Sequence, residues 1–414
     1  MLYIDPPTKK KINRYFFDNS RLQPTNGAFF RSPVLFVSIF PGRREDQQYR
    51  CQIAPMNGRR GILLSITFCS NSVEGPGKEI IWDAADNPVN EYFGGIMITL
   101  TPDEVRARFG PLFSERYLVM VDHAAGVAEI LETCRARGPV EWDAMNRRRA
   151  CGALESCSVE GTTLRIRTRL GRFPVKFGPA ESTSGGQALE AVELAGDEVI
   201  TSWAGIAGAG VGIAACLPQA PGVTRAEYPD EADLTVGGSR ENRVRIVSPV
   251  YEKVVIGIDD TDTAAGGATW VLALQCAAAC PIEDAHLLGM RLVQLNPAVP
   301  NKTTNCVGSA LVYAVEAGRL DELQAFVTEF VREHSLSPEA GIAVRTGIVH
   351  PDGADAMRRV KTEILTLPEA EAAARELNVR FIDSNRGKGR IGALGALLWA
   401  DEGPEAAGLY GEHL

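Results

Sequence analysis

A chain of 414 residues, 45% hydrophobic and 23% charged, has the composition of a soluble globular protein with room for two or three domains. Its net charge of −9 supplies no overall positive field, so a nucleic-acid partner is not expected. No apolar run approaches the roughly 20 residues that span a bilayer, so no membrane partner is expected. Nine cysteines without a Cys-x-x-Cys pair or a secretory leader argue against a zinc ribbon and point to a reducing cytoplasm.

Residues 1–96 read as an irregular N-terminal extension, with Lys9-Lys10-Lys11, isolated aromatics and short apolar clusters such as Ile62-Leu63-Leu64. Helical periodicity is missing there. Met97 makes a clean start and is expected to be the native initiator, the preceding residues lying upstream of it. Thr101-Pro102-Asp103-Glu104 is a capping box with proline in the first helical position, and an amphipathic turn from Val105 to Phe109 follows.

From 97 to 249 the pattern predicts an α/β domain. Tyr117 to Val121 is a strand, and Ala124 to Ala136 a helix closed by Gly138 and Pro139. Leu164 to Leu170 alternates apolar residues with Arg165, Arg167 and Arg169, the mark of a half-buried strand with a basic outer face. Pro174 to Phe177 is expected to pair with it. Glu198 to Trp203 is a strand that runs into Gly205-Ile206-Ala207-Gly208-Ala209-Gly210-Val211-Gly212. Such a turn either cradles a phosphate on its backbone N–H groups or lets a helix pack closely on the sheet. It has neither the Walker lysine nor the dinucleotide spacing. Arg243 to Val247 closes this domain, with a boundary near Pro249.

Residues 250–414 alternate again, which gives an α/β fold of two packed domains with mixed sheets. Strands are expected at Gly289–Gln294, Val307–Val315 and Ala343–Val349. Helices are expected at Leu320–His334, whose Leu323, Phe326, Val327, Phe330 and Val331 share one side, and at Asp355–Ile364, Pro368–Leu377 and Arg390–Ala400. The opening of this domain carries the chemistry. Val254-Val255-Ile256-Gly257-Ile258 is a short buried strand, and Asp259, Asp260 and Asp262 crowd its end. Gly266 and Gly267 then precede an apolar helix that starts near Thr269. Open α/β sheets place ligands where a strand end meets a helix start. Three neighbouring carboxylates repel one another unless a cation or solvent neutralises them, and hard oxygen ligands suit Mg²⁺. A solvated acidic turn is the alternative.

The run from Gly257 to Trp270 resembles the nucleotide-binding opening of the archaeal isoleucine tRNA agmatinylcytidine synthetase family. Two further blocks are similar to that family: Leu295-Asn296-Pro297-Ala298-Val299-Pro300-Asn301-Lys302-Thr303-Thr304-Asn305 and Gly387-Lys388-Gly389-Arg390-Ile391-Gly392. The variants here look more like the methanogenesis marker protein 11 family. The resemblance implies a kinase-like domain that binds ATP and Mg²⁺, with Asp259, Asp260 and Asp262 on the metal. Asp260, Thr269 and Lys302 are then the expected catalytic residues. Gly257, Gly266, Gly267, Asn296, Asn305, Arg345, Gly387, Lys388 and Gly389 are expected to hold the nucleotide. Thr269 stands where that family has a threonine able to accept phosphate, but the cysteine and second threonine beside it are Ala268 and Trp270 here. Trp270 is expected in the core. The synthetases' zinc ribbon has no counterpart, so their cytidine chemistry is not carried over. The expected partners are a nucleotide, an unknown acceptor and, through the marker family, a methanogenesis enzyme complex. If the three blocks form one site, Asp260, Lys302 and Gly389 must converge.

Overall fold

The computed structural model describes residues 97–414 except 180, 301 and 414, and ahead of them the backbone of four strands. The chain divides into two units at Gly94–Gly95. In the first unit, β1 (Val34–Leu35), β2 (Gln48–Pro55), β3 (Gly61–Cys69) and β4 (Lys78–Asp83) pair antiparallel in chain order. Apart from these strands, the expected extension lies outside the described residues.

The second unit opens with β5 (Ile98–Leu100) and α1 (Pro102–Phe109). The capping box forms: the Glu104 N–H donates to Thr101 Oγ1 at 3.3 Å, and the Thr101 N–H donates to Glu104 Oε2 at 2.8 Å. Next come β6 (Ser114–Asp122), β7 (Val127–Cys134), α2 (Arg137–Ala150), β8 (Leu154–Glu160), β9 (Thr163–Arg169) and β10 (Gly171–Arg172). They are followed by β11 (Gln187–Ala195), β12 (Glu198–Ile206), a short α3 (Gly208–Val211) that widens into a π turn over Gly212–Cys216, β13 (Arg225–Tyr228) and β14 (Glu241–Pro249). The rest of the chain forms β15 (Tyr251–Asp259), α4 (Thr269–Ala278), β16 (Ala285–Gln294), β17 (Val307–Glu316) and α5 (Leu320–His334). It ends with β18 (Gly341–Thr346), α6 (Ala354–Thr362), α7 (Leu367–Glu376), β19 (Arg380–Phe381) and α8 (Gly389–Leu398).

Two sheets organise these elements. A six-stranded antiparallel sheet runs β10-β11-β12-β14-β13-β5. A nine-stranded sheet runs β16-β17-β15-β6-β7-β9-β8, with β18 added on β15 and β19 on β18. The β15–β6 pair, at Tyr251 and Met120, is parallel and makes that sheet mixed. Strands from both sides of residue 250 therefore share one sheet. One apolar core joins the six-stranded sheet to β6, β7 and β9 around Trp203, Tyr117 and Ile166. Two others sandwich the β15–β18 region, one under α8 and one under α4 and α5.

The helix expected over Ala124–Ala136 is corrected to a hairpin. The Ala125 N–H donates to Asp122 Oδ1 at 3.0 Å and Gly126 takes φ +68°, so the chain turns back into β7. That strand buries both faces, and its two glutamates are buried because cations reach them: Arg165 and Lys253 on Glu129, Arg147 on Glu132. Tertiary pairing overrides the helical composition. Gly138 and Pro139, expected to stop a helix, lie in the first turn of α2, where proline's missing N–H costs nothing. Pro174–Phe177 forms no strand; Val175 and Phe177 make isolated bridges to Cys151 and Gly185.

Candidate functional site

The acidic strand end is built by close packing. Strand β15 lies between β17 and β18, and α8 crosses it. A Cβ on Gly257 would sit 1.9 Å from the Ala393 carbonyl oxygen, and one on Gly392 would sit 1.6 Å from Asp259 Oδ2. Gly257 is thus a packing residue inside the strand, and Gly392 makes room for the Asp259 carboxylate against α8. Burial pushes the Asp259 carboxyl up to about 8, with Asp260 and then Asp262 adding repulsion. Asp260 takes φ +58°, a left-handed conformation that bends the chain out of the strand. Its carboxyl is also pushed up, by burial first, then by Asp262 and Glu339, while Lys388 opposes the shift.

Past the bend, the chain turns tightly. Thr263 and Gly266 exchange backbone hydrogen bonds at 2.9 and 3.1 Å, and Gly267 adopts φ +89°. Helix α4 then begins at Thr269, which is buried. The Thr261 N–H donates to Thr269 Oγ1 at 3.1 Å, and the Thr269 hydroxyl donates to Asp262 Oδ1 at 3.4 Å. The other Asp262 oxygen accepts from the Thr303 hydroxyl at 3.2 Å. That bond ties the double-proline loop to the acidic turn. Lys302 is exposed in the loop, and its Nζ donates to the Val299 carbonyl at 3.2 Å. Asn296 shapes the loop from within, its Oδ1 accepting the Ala298 N–H at 2.9 Å. Asn305 is exposed. The Cys306 thiol, pushed up to about 11 by burial first and by the Asp259 charge next, also feels Lys302 and Asp260.

The third block closes the site from below. A Cβ on Gly387 would lie 2.3 Å from the Glu339 carbonyl oxygen, and one on Gly389 would lie 2.6 Å from that oxygen and 2.8 Å from the Asp259 carbonyl oxygen. The Lys388 N–H donates to Glu339 Oε2 at 2.9 Å. Asp260, the Lys302 loop and Gly389 therefore meet at one strand end. Arg345 is not brought there. It lies opposite Val255, well back along β18, with Asp401 3.9 Å from its Nη2. Trp270 is 47% exposed rather than in the core, because the helix turns its outer face to solvent at that position.

Sequence reasoning missed Glu339 and Thr303. Glu339 sits in the turn before β18, and only the sheet topology brings it to Asp260; no local pattern marks it. Thr303 stands in the quoted loop, but its bond to Asp262 depends on how the loop folds. Among the described residues, no three acidic, histidine or cysteine side chains close on one point as a preformed metal cage. The residues still fit a divalent cation that keeps waters and shares phosphate oxygens, since Mg²⁺ needs only one or two carboxylates. Among the described residues no cation pairs with Asp259, and burial holds its carboxyl protonated up to about 8, a proton that a bound cation would displace.

This strand end sits within the stretch that comparison identifies. Residues 255–321 match the family described as the TiaS TCKD domain. The isoleucine-tRNA 2-agmatinylcytidine synthetase TiaS of Pyrobaculum neutrophilum is 32% identical over 155 residues, which make up 35% of this chain and 35% of that protein. A crystal structure of TiaS in complex with its isoleucine tRNA and ATP matches at 27% identity over 35% of this chain and 36% of that one, with a TM-score of 0.31. The chain thus spans about a third of the synthetases' length, and its C-terminal part is a kinase-like domain homologous to theirs. The uncharacterized protein MJ0921 of Methanocaldococcus jannaschii is 34% identical over 286 residues, covering 69% of this chain and 93% of the relative. The chain belongs to the family of that archaeal protein.

The expectation that nucleic acid is not a partner is corrected by these findings. Relatives that share the C-terminal stretch include tRNA agmatinylcytidine synthetases, enzymes whose printed substrate is a tRNA. The physical reason is that a net charge is a sum over the whole chain and says little about any one face. Arg116, Arg165, Arg167, Lys253 and Arg291 line a groove of about 790 Å³ in the second unit together with Glu129, Glu160 and Asp401, so cations outnumber acids on that face despite the negative total. No helix among the described residues is long and apolar enough to cross a membrane.

Proposed function

We propose that residues 250–414 bind ATP with Mg²⁺ at the end of β15 and transfer its terminal phosphoryl group to an acceptor. The convergence of three sequence-distant blocks on Asp259–Asp262 carries this reading. Bound Mg²⁺ would neutralise charge on the phosphates, with one or two of Asp259, Asp260 and Asp262 as its protein side. Gly266 and Gly267 leave the backbone free of side chains at the turn. Lys302, on the loop tied to Asp262, and Lys388, whose charge acts on Asp260, supply positive charge, each on a segment held by its own hydrogen bonds.

Thr269 is the protein's own acceptor in this reading. Its hydroxyl oxygen attacks the γ-phosphorus, the proton passes to Asp262 at 3.4 Å, and the β–γ bridging oxygen leaves with ADP. The start of α4 stabilises the resulting dianion. The final acceptor then takes the group from Thr269 or directly from ATP. An RNA acceptor is consistent with what the homologous synthetases act on. The test incubates the full chain with γ-labelled ATP and Mg²⁺ and follows label on the protein and loss of ATP. Labelling that disappears in Thr269→Val, with ATP binding kept, supports the intermediate.

A second reading is a nucleotide-binding accessory factor without turnover, acting in assembly or activation of methyl-coenzyme M reductase. The resemblance to methanogenesis marker protein 11 motivates it. Ala268 and Trp270 flanking Thr269, where the synthetases carry cysteine and threonine, favour binding over chemistry. Absence of labelling and of ATP loss under every condition, with ATP still bound, selects this reading.

A further inference from the structure

A second site, which shares no lining residue with the aspartates, lies between β7, α2 and the turn after β12. There a cavity of about 730 Å³ opens in the second unit. Leu164, Ile206, Val211 and Leu217 supply apolar walls, and Phe113 and Trp142, 55% and 46% exposed, stand among its lining. The glycine-rich turn forms one side, but not as a phosphate cradle. A Cβ on Gly205 would meet the Ala209 carbonyl oxygen at 2.7 Å, and one on Gly210 would meet Asn242 Oδ1 at 2.4 Å. These glycines let the turn pack closely. The π turn that follows contributes Gly212 and Cys216 to the wall.

Among the described residues that line it, only Glu132 and Asp143 are charged. Both are acids, which makes the cavity hostile to phosphate. Arg147 lies behind them, fully buried and stacked on Trp203 with its guanidinium 4.4 Å from the ring centre. It is largely committed: Nη1 donates to Glu132 at 2.6 Å and Nε donates to Gln187. Among the described residues its Nη2 has no hydrogen-bond partner, with Asp143 Oδ2 at 3.7 Å. Two acids against one cation leave the group at −1. Asp143 itself receives no hydrogen bond among the described residues.

We propose that this cavity binds a small organic cation, an ammonium or guanidinium on an apolar body, with Asp143 as its counter-ion. A cation supplies the charge that Glu132 and Arg147 leave unbalanced. The apolar walls take up its body, and the aromatic side chains of Trp142 and Phe113 in the lining can stack on the charged end. Burial pushes the Asp143 carboxyl up to about 6, against the pull of Arg147, and a nearby cation stabilises its anion. Binding here does not depend on nucleotide chemistry at β15.

The test uses the full chain at pH 7.5, above the Asp143 value, and titrates benzylammonium by calorimetry. Benzyl alcohol and phenylacetate, of similar bulk, serve as neutral and anionic counterparts. The parent protein should bind benzylammonium about tenfold or more tightly than either, a difference of about 1.4 kcal/mol. Asp143→Asn should erase that preference, and Trp142→Ala should weaken benzylammonium severalfold, with circular dichroism unchanged in both. Three results overturn the proposal: no binding of benzylammonium, equal affinity for amine and alcohol in the parent, or undiminished preference in Asp143→Asn. The parent comparison stands even if a variant fails to fold.

Discussion

The strand end at β15 and the cavity beside α2 use carboxylates in opposite ways. At β15 three aspartates fall within four residues, and the structure holds them together with glycines that let α8 sit on the strand. Among the described residues no buried cation offsets them. Beside α2 the acids come from different elements, and an arginine from the same helix neutralises one of them. The first arrangement suits a small, hard, multiply charged cation with phosphates; the second suits a single diffuse charge on an apolar body. The chemistry of an acidic site follows from what shares its burial, and the count of acids alone does not decide it.

The largest expected effect comes from filling the close contact under the aspartates. Gly257→Ala places a methyl 1.9 Å from the Ala393 carbonyl, which the backbone of α8 cannot easily yield. It should cost about 3 kcal/mol in urea unfolding of the full chain. The same substitution at Gly208, in the turn beside the cavity, meets nothing within 4 Å and should shift stability by no more than about 0.5 kcal/mol. Equal costs at the two positions would erase the contrast in packing.

A smaller effect concerns pH. Asp259 titrates at about 8 in the fold, against about 4 for an ordinary unfolded aspartate, so between those values the folded state holds the extra proton. The metal-free protein should therefore lose stability from this group as pH rises from about 4 to about 8. Asp259→Asn should flatten that slope in denaturation midpoints measured across the window. In the same range Mg²⁺ should bind the parent more tightly at higher pH, because it displaces the proton. A Mg²⁺ affinity independent of pH would separate Asp259 from the metal. Smaller again is Thr303→Val, which removes the 3.2 Å bond to Asp262 and loosens the Lys302 loop. It should weaken Mg·ATP binding severalfold and leave benzylammonium binding at the cavity unchanged.

The two regions also differ in how far the amino-acid sequence discloses them. The acidic end was legible because its parts are local: an apolar strand, three aspartates, a glycine turn and a helix start at Thr269. Leu320–His334 and the Thr101 capping box were legible for the same reason, since each pattern closes within a few turns. Glu339 was not legible, because sheet pairing alone carries it to Asp260. The cavity was hidden more deeply. Its β7 wall read as a helix from Ala124 to Ala136, since buried Glu129 and Glu132 make sense only once Arg165, Lys253 and Arg147 arrive from elsewhere. The glycine-rich turn left a phosphate cradle and close helix packing both open, and the acids that argue against phosphate lie on other elements.

The central claim is that the three blocks meeting at β15 form a Mg·ATP site. Calorimetry of Mg·ATP with the parent and with the double variant Asp259→Asn, Asp260→Asn tests it most directly. Binding should be metal-dependent in the parent and lost in the double variant, with circular dichroism and the unfolding transition retained. Unchanged Mg·ATP affinity in a folded double variant would contradict it.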